Sequence, residues 1–151
     1  MDYKKPSVTA DIIVINEDKV LLVKRKNNPY QGYWALPGGF LDTGKETVKQ
    51  TAQRELNEET GLRVKLEDLQ LVGESSHPNR DPRGHIVSLH YLAQNCKGEL
   101  KAGDDANLTR FFPLGDLPRL AFDHEKILRK LYTRNSGNYF FSPARIMLVE
   151  G

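Results

Sequence analysis

A mixed α/β fold is predicted for this chain from two observations. β-Branched and alternating apolar runs lie on both sides of one amphipathic segment near the middle, and a second amphipathic segment follows the last run. The length of 151 residues fits one compact domain able to bury a real core. We read residues 1–151 as that single domain, with its core from about 8 to 131 and a C-terminal tail over 135–151.

The elements follow in order. "SVTADIIVI" and "KVLLVKR" flank Asn16-Glu17-Asp18, a polar turn cluster, and read as a hairpin. "NNPYQG" breaks the chain, and "YWALPGGFL" returns as a short apolar strand ending in Pro-Gly-Gly. Helical character starts near Lys45 and runs to about Thr60, with Gly61 as its stop. "RVKLEDLQLVGES" and "HIVSLHYLAQN" read as two more strands, separated by the proline-, glycine- and charge-rich loop "SHPNRDPRG". "LKAGDDANLTRFFPL" holds a second charged loop and a short aromatic strand. "FDHEKILRKLYTR" reads as the closing helix, with Asp123 as N-cap and Ile127, Leu128 and Leu131 on one face.

Composition narrows the function classes. The chain is 38% hydrophobic and 28% charged, with a formal charge of +2. That balance has no basic block of the kind a nucleic-acid surface needs, so no nucleic-acid partner is expected. Cys96 is the single cysteine, which excludes an intrachain disulfide and a cysteine-rich zinc site. "MDYKKPSVTADIIVIN" lacks the apolar core of a signal peptide, being broken by Asp11. No apolar run approaches the roughly 18 residues of a membrane span, so no membrane partner is expected and the cytoplasm is the expected compartment.

The central segment, "PGGFLDTGKETVKQTAQRELNEETGL", poses an electrostatic problem. Glu55, Glu58 and Glu59 repel one another at helical spacing, and at about 100° per residue they share one side of the helix. Val48, Ala52 and Leu56 form the neighbouring apolar stripe, so the carboxylates sit at the edge of the buried face. A solvated acidic helix paired with Lys49 and Arg54 is one reading. The position beside the core, just after Pro-Gly-Gly, favours another: a hard divalent cation, Mg²⁺ with Mn²⁺ as the alternative, held by oxygen ligands. Gly38 and Gly39 lack a Cβ, so their backbone can approach an ion or a phosphate closely. By themselves they read as a tight turn.

Together these residues resemble the Nudix hydrolase signature, G-x5-E-x7-R-E-U-x-E-E-x-G-U with U apolar. "RELNEETGL", Arg54 to Leu62, matches its second half at every specified position, and Glu46 stands at the required distance before Arg54. Between Gly39 and Glu46 there is one residue more than the pattern has; alternatively, Lys45 takes the glutamate position. The resemblance implies a Nudix-type α/β/α sandwich with a mixed sheet. It also implies Glu55 and Glu59 as metal ligands, Glu58 as a third or water-mediated one, and the Gly38 carbonyl completing the site. Arg54 would hold Glu46 and orient the glutamates.

The signature does not name the substrate, since the family cleaves nucleoside diphosphates linked to many moieties. Pro78, sixteen positions past Leu62, and the runs "HPNRDPRGHIVS", "AGDDA" and "LAFDHEKIL" are similar to the ADP-ribose pyrophosphatase subfamily. The lack of an "SQPWPFPxS" array argues against NADH pyrophosphatase. Arg80 and Arg83, in a loop stiffened by two prolines, offer guanidinium forks for phosphate oxygens. Arg25 ends a strand near the signature and is a further phosphate candidate, as is the backbone at Gly39. His85 is the histidine best placed for the site. Asp104 and Asp105 share a glycine-containing loop, where a mobile carboxylate suits a general base; Glu55 and Glu58 are the other candidates.

The resemblance thus implies metal-assisted hydrolysis of ADP-ribose, a small-molecule nucleotide substrate, to AMP and ribose 5-phosphate, by an enzyme that is commonly a homodimer. One alternative is a (deoxy)nucleoside triphosphate pyrophosphohydrolase. Another is a non-catalytic ADP-ribose sensor regulating NAD metabolism. Such sensors carry an added winged-helix domain and often a degraded signature, whereas here about twenty residues follow the last helix and the metal-binding half is intact.

Overall fold

The computed structural model describes residues 3–101 and 108–135. Asp104, Asp105 and positions 136–151 of the expected tail lie outside the described residues. Two four-stranded sheets form the centre. The first contains β1 (Ser7–Ile13), β5 (Gly38–Phe40), β6 (Leu69–Ser75) and β7 (Ile86–Ala93) in the order β5-β1-β7-β6. It is mixed, because β1 and β7 run parallel while β5 and β6 pair antiparallel. The second is antiparallel and contains β2 (Ile15–Asn16), β3 (Lys19–Lys24), β4 (Trp34–Ala35) and β8 (Thr109–Pro113).

The expected first hairpin is therefore shorter than its apolar run. Only Ile15–Asn16 pairs back on Lys19–Val20, while Ser7–Ile13 belongs to the other sheet. Val14, fully buried, is the crossing point. The "YWALPGGFL" strand divides in the same way. Trp34–Ala35 joins β3, and Gly38–Phe40 joins β1 across Leu36-Pro37. Proline has no N–H for a ladder, so a break at this point costs nothing in pairing. Gly38 and Gly39 are consequently strand residues and not a tight turn.

Period-two alternation sorts the strands into two cores. On β1, Ala10 and Ile12 pack with Leu21, Ala52, Leu56 and Tyr91. Ile13 faces the other way and packs with Leu22, Leu92, Ile127, Leu128 and Leu131. Helix α1 (Val48–Thr60) lies over the first core and α2 (His124–Asn135) over the second, which gives helix, sheets, helix. Truncating a wholly buried side chain such as Leu56 to alanine costs about 2–5 kcal/mol in this kind of packing.

Helix α1 starts three residues later than its charge pattern implies, because Thr47 caps it. The Thr47 hydroxyl accepts from Gln50 N and the Gln50 side chain accepts from Thr47 N, a capping box of about 0.5–2 kcal/mol. Gly61 ends it at φ 85°, its N–H donating to Asn57 O. That left-handed conformation suits glycine. The cap at each end fixes how far the glutamates of α1 reach along β5.

Candidate active site

A cavity of about 790 Å³ opens between α1, β5 and the segment leading into α2. Its α1 wall carries Glu55, Glu58 and Glu59. A Cβ on Gly39 would collide with the Glu55 carboxylate, so glycine is what lets the helix lie so close to the strand. Glu59 Oε2 stands 3.4 Å from Gly38 N. Pro37 and Leu41 both bond into β1, through Ile12 N to Pro37 O and Leu41 N to Val8 O. In an antiparallel ladder such pairs alternate with unbonded ones, and Gly38 opposite Asp11 is an unbonded one. Its N–H and C=O therefore point away from β1, along the free edge of the sheet and toward Glu59.

These carboxylates are held at a cost. Burial, and then the charge of Glu55, push the Glu59 carboxyl up to about 8. Burial also raises Glu55, against the pull of Arg54. Two acids so perturbed, next to an outward main-chain edge, make an oxygen-rich set of the hard type that Mg²⁺ or Mn²⁺ takes.

Arg54 organises the set. It donates from Nε and Nη2 to the two oxygens of Glu46, at 3.0 and 2.7 Å, and from Nη1 to Glu55 at 2.8 Å and Glu58 at 3.1 Å. Nη2 also reaches Phe40 O. Bonding to Arg54 is the largest of the effects that hold the Glu46 carboxyl down at about 2. The extra residue before Glu46 is absorbed in an exposed turn, where Lys45 N bonds Asp42 O and Asp42 N bonds Glu46 Oε1. Glu46, and not exposed Lys45, occupies the place opposite Arg54. Among the described residues, no three acidic or imidazole side chains converge on one ion. The donor types present, carboxylates beside an outward main-chain carbonyl, are those a divalent ion takes.

The facing wall is built from arginines and aromatic rings. Arg25 lies 4.9 Å from the centre of the Phe122 ring, and Arg83 lies 5.3 Å from Phe122 and 5.1 Å from Phe40. Tyr30 packs edge-on against Phe122, which itself has φ 53°. Burial, and then the charge of Arg83, lower the proton affinity of Arg25. Two cations thus share one ring. Arg80 also lines the cavity, but three of its N–H groups are taken, two by Asp123 and one by Ile86 O. It clasps the 76–85 loop to the start of α2. Arg83 likewise pairs with buried Asp81.

His85 is not at the site. It is exposed, outside the cavity lining, with its ring against Ser76 O. The histidine that lines the cavity is His124, buried beneath Phe122. Asp11 is there too, on the floor, with Ser88 donating to Oδ2 and His124 Nε2 3.6 Å from the same oxygen. Burial would push the Asp11 carboxyl up; His124 and Ser88 outweigh it and hold it below the usual carboxylate range. Sequence reasoning passed over both. An aspartate interrupting the apolar run "TADIIVI" was the available signal for Asp11, since a charge inside a two-sided buried strand needs a reason.

Residues 5–133 match the NUDIX domain model. The chain is 52% identical over 127 residues to an ADP-ribose pyrophosphatase of Methanocaldococcus jannaschii, covering 84% of this chain and 73% of that protein. It superposes on a bifunctional NMN adenylyltransferase/ADP ribose pyrophosphatase of Francisella tularensis, complexed with AMP and Mn ion, with a TM-score of 0.74. Identity there is 32%, over 89% of this chain and 43% of that one. The NUDIX domain of Shewanella oneidensis NrtR complexed with ADP ribose gives a TM-score of 0.71 at 32% identity, over 87% of this chain and 90% of that one.

Proposed function

Because the chain belongs to the NUDIX family, we propose that its cavity hydrolyses the diphosphate of ADP-ribose, giving AMP and ribose 5-phosphate. The observation that carries this is the opposition of two walls. Half-buried carboxylates of Glu55 and Glu59 face the guanidiniums of Arg25 and Arg83 across a cavity large enough for a dinucleotide-sized ligand. The 52% identity to an ADP-ribose pyrophosphatase supports the choice of substrate.

Each side chain has a definite task in this reading. Arg25 and Arg83 draw in the diphosphate and fix its oxygens. Glu55, Glu59 and the Gly38 carbonyl would hold the metal, with Glu58 as a further ligand, and Arg54, fixed by Glu46, sets their positions. A divalent ion, Mg²⁺ with Mn²⁺ as substitute, neutralises phosphate charge and acidifies a water when bound. An attacking water would add its oxygen to one phosphorus, and the bridging P–O bond would break with its electron pair staying on the leaving phosphate. A carboxylate accepts the water's proton: Glu55 or Glu58 on the helix, or Asp104 or Asp105. The backbone at Gly39, without a Cβ, leaves space for the phosphate.

A reducing, cytoplasmic setting is supported by the lone buried thiol of Cys96, whose burial pushes it up to about 12 and out of redox chemistry. No helix among the described residues is long and apolar enough to cross a membrane. A homodimer, which the family resemblance implies, completes the reading. The test of the function is product analysis: Mg²⁺-dependent release of AMP and ribose 5-phosphate from ADP-ribose.

A further inference from the structure

The Asp11 carboxylate is explained neither by the metal-binding edge nor by the arginine wall. It is 7% exposed on the cavity floor, and a buried charge is unfavourable unless something uses it. One oxygen is committed: Oδ2 receives the Ser88 hydroxyl and faces His124 Nε2. His124 Nδ1 accepts the Leu36 N–H at 3.0 Å, so the neutral ring carries its proton on Nε2, directed at Asp11. The other oxygen is different. Among the described residues, no side chain or backbone group donates to Oδ1.

Oδ1 retains access to the cavity, since no fully buried side-chain oxygen among the described residues is left without a partner. Gly38 is the cross-strand partner of Asp11, and a Cβ there would collide first with the Ala10 main-chain oxygen and then, at 2.6 Å, with Oδ1. Any larger residue would fill the gap. A phosphate oxygen brought to this carboxylate is repelled, whereas a hydroxyl donates to it. The sugar hydroxyls are the donors that a ribose-bearing diphosphate brings into such a cavity.

We propose that Asp11 is a specificity-determining residue: its Oδ1, fixed in place through Ser88 and His124, accepts a hydrogen bond from a ribose hydroxyl of the substrate. The same carboxylate then excludes nucleotides that would set a phosphate at that point. This rests on the ADP-ribose reading above.

The experiment compares wild-type enzyme and Asp11→Asn on ADP-ribose, on its singly deoxygenated ribose analogues and on ATP. In Asp11→Asn, the Ser88 and His124 donors retain the amide oxygen at the Oδ2 position. The NH₂ then faces the cavity, a donor where an acceptor is needed. One deoxy analogue is expected to lose about 10- to 100-fold in kcat/KM with the wild type and no more than about threefold with Asp11→Asn. The ratio of kcat/KM for ATP to that for ADP-ribose rises in the variant, and its Mn²⁺ affinity by calorimetry stays that of the wild type. A flat deoxy series in the wild type, equal penalties in both proteins, or weakened Mn²⁺ binding in Asp11→Asn each overturn the inference, the last by giving the carboxylate to the cation. Should Asp11→Asn not fold, the wild-type deoxy series still decides. A wild type that does not cleave ADP-ribose at all sinks the substrate reading itself; an active one with a flat series sinks only this inference.

Discussion

Arg54 and Glu46 meet through two parallel hydrogen bonds, of 3.0 and 2.7 Å, while the remaining Arg54 nitrogen spans Glu55 and Glu58. One guanidinium thus ties the loop before α1 to the acidic face of the helix. The pair has a signature in acid. With Glu46 at about 2 in the folded chain and about 4.3 when unfolded, its contribution to stability is fully present above the unfolded value. That contribution is lost as pH falls toward the folded one. Glu46→Gln is expected to lower Tm at pH 7, with the two melting curves converging as the pH approaches 2. Thermal melts from pH 7 downward check this; parallel curves would deny the coupling.

Glu59 carries the opposite sign. Its carboxyl is raised to about 8, so its ionised form costs stability above the unfolded value of about 4.3, and the full cost is reached above pH 8. Glu59→Gln should therefore melt higher than the metal-free parent at pH 8.5. It should also lose the Mg²⁺-dependent rise in Tm, with turnover down by about two orders of magnitude or more. Calorimetric melts with and without Mg²⁺ test both halves. A variant that still gains Tm from Mg²⁺ and turns over normally would remove Glu59 from the metal site.

Much of this arrangement was legible in the sequence, for a physical reason. Helix periodicity placed Glu55, Glu58 and Glu59 beside the Val48–Ala52–Leu56 stripe, and periodicity survives folding because it comes from local geometry. The stop at Gly61 was legible for the same reason. What was hidden depends on contacts between distant segments. Asp11, Ser88 and His124 come from β1, β7 and α2, and no local pattern brings them together. His85 was favoured over His124 because loop position was used where burial decides. Arg80 looked like a free phosphate fork until Asp123, 43 residues on, took its donors. The crossing of the first strand between sheets was likewise invisible, since a continuous β-branched run looks the same whether or not it changes partners.

The general base is separated from the ligands by metal dependence. Removal of either kind of group lowers kcat, but only a ligand changes ion affinity. Asp104→Asn or Asp105→Asn is expected to cut kcat by about 10²–10⁴ with Mg²⁺ dependence unaltered, whereas Glu55→Gln should weaken Mg²⁺ binding as well. Mg²⁺ titrations by rate and by calorimetry check each variant. Unaltered kcat in both aspartate variants returns the base to Glu55 or Glu58.

The central claim is that this cavity acts on ADP-ribose, and its most direct measurement is a substrate panel at saturating Mg²⁺. ADP-ribose, NADH, dATP and a diadenosine polyphosphate are assayed side by side for kcat/KM, with products identified by chromatography. The account expects ADP-ribose to lead by at least about tenfold, yielding AMP and ribose 5-phosphate in equal amounts. A clear preference for dATP, with release of pyrophosphate, would contradict it.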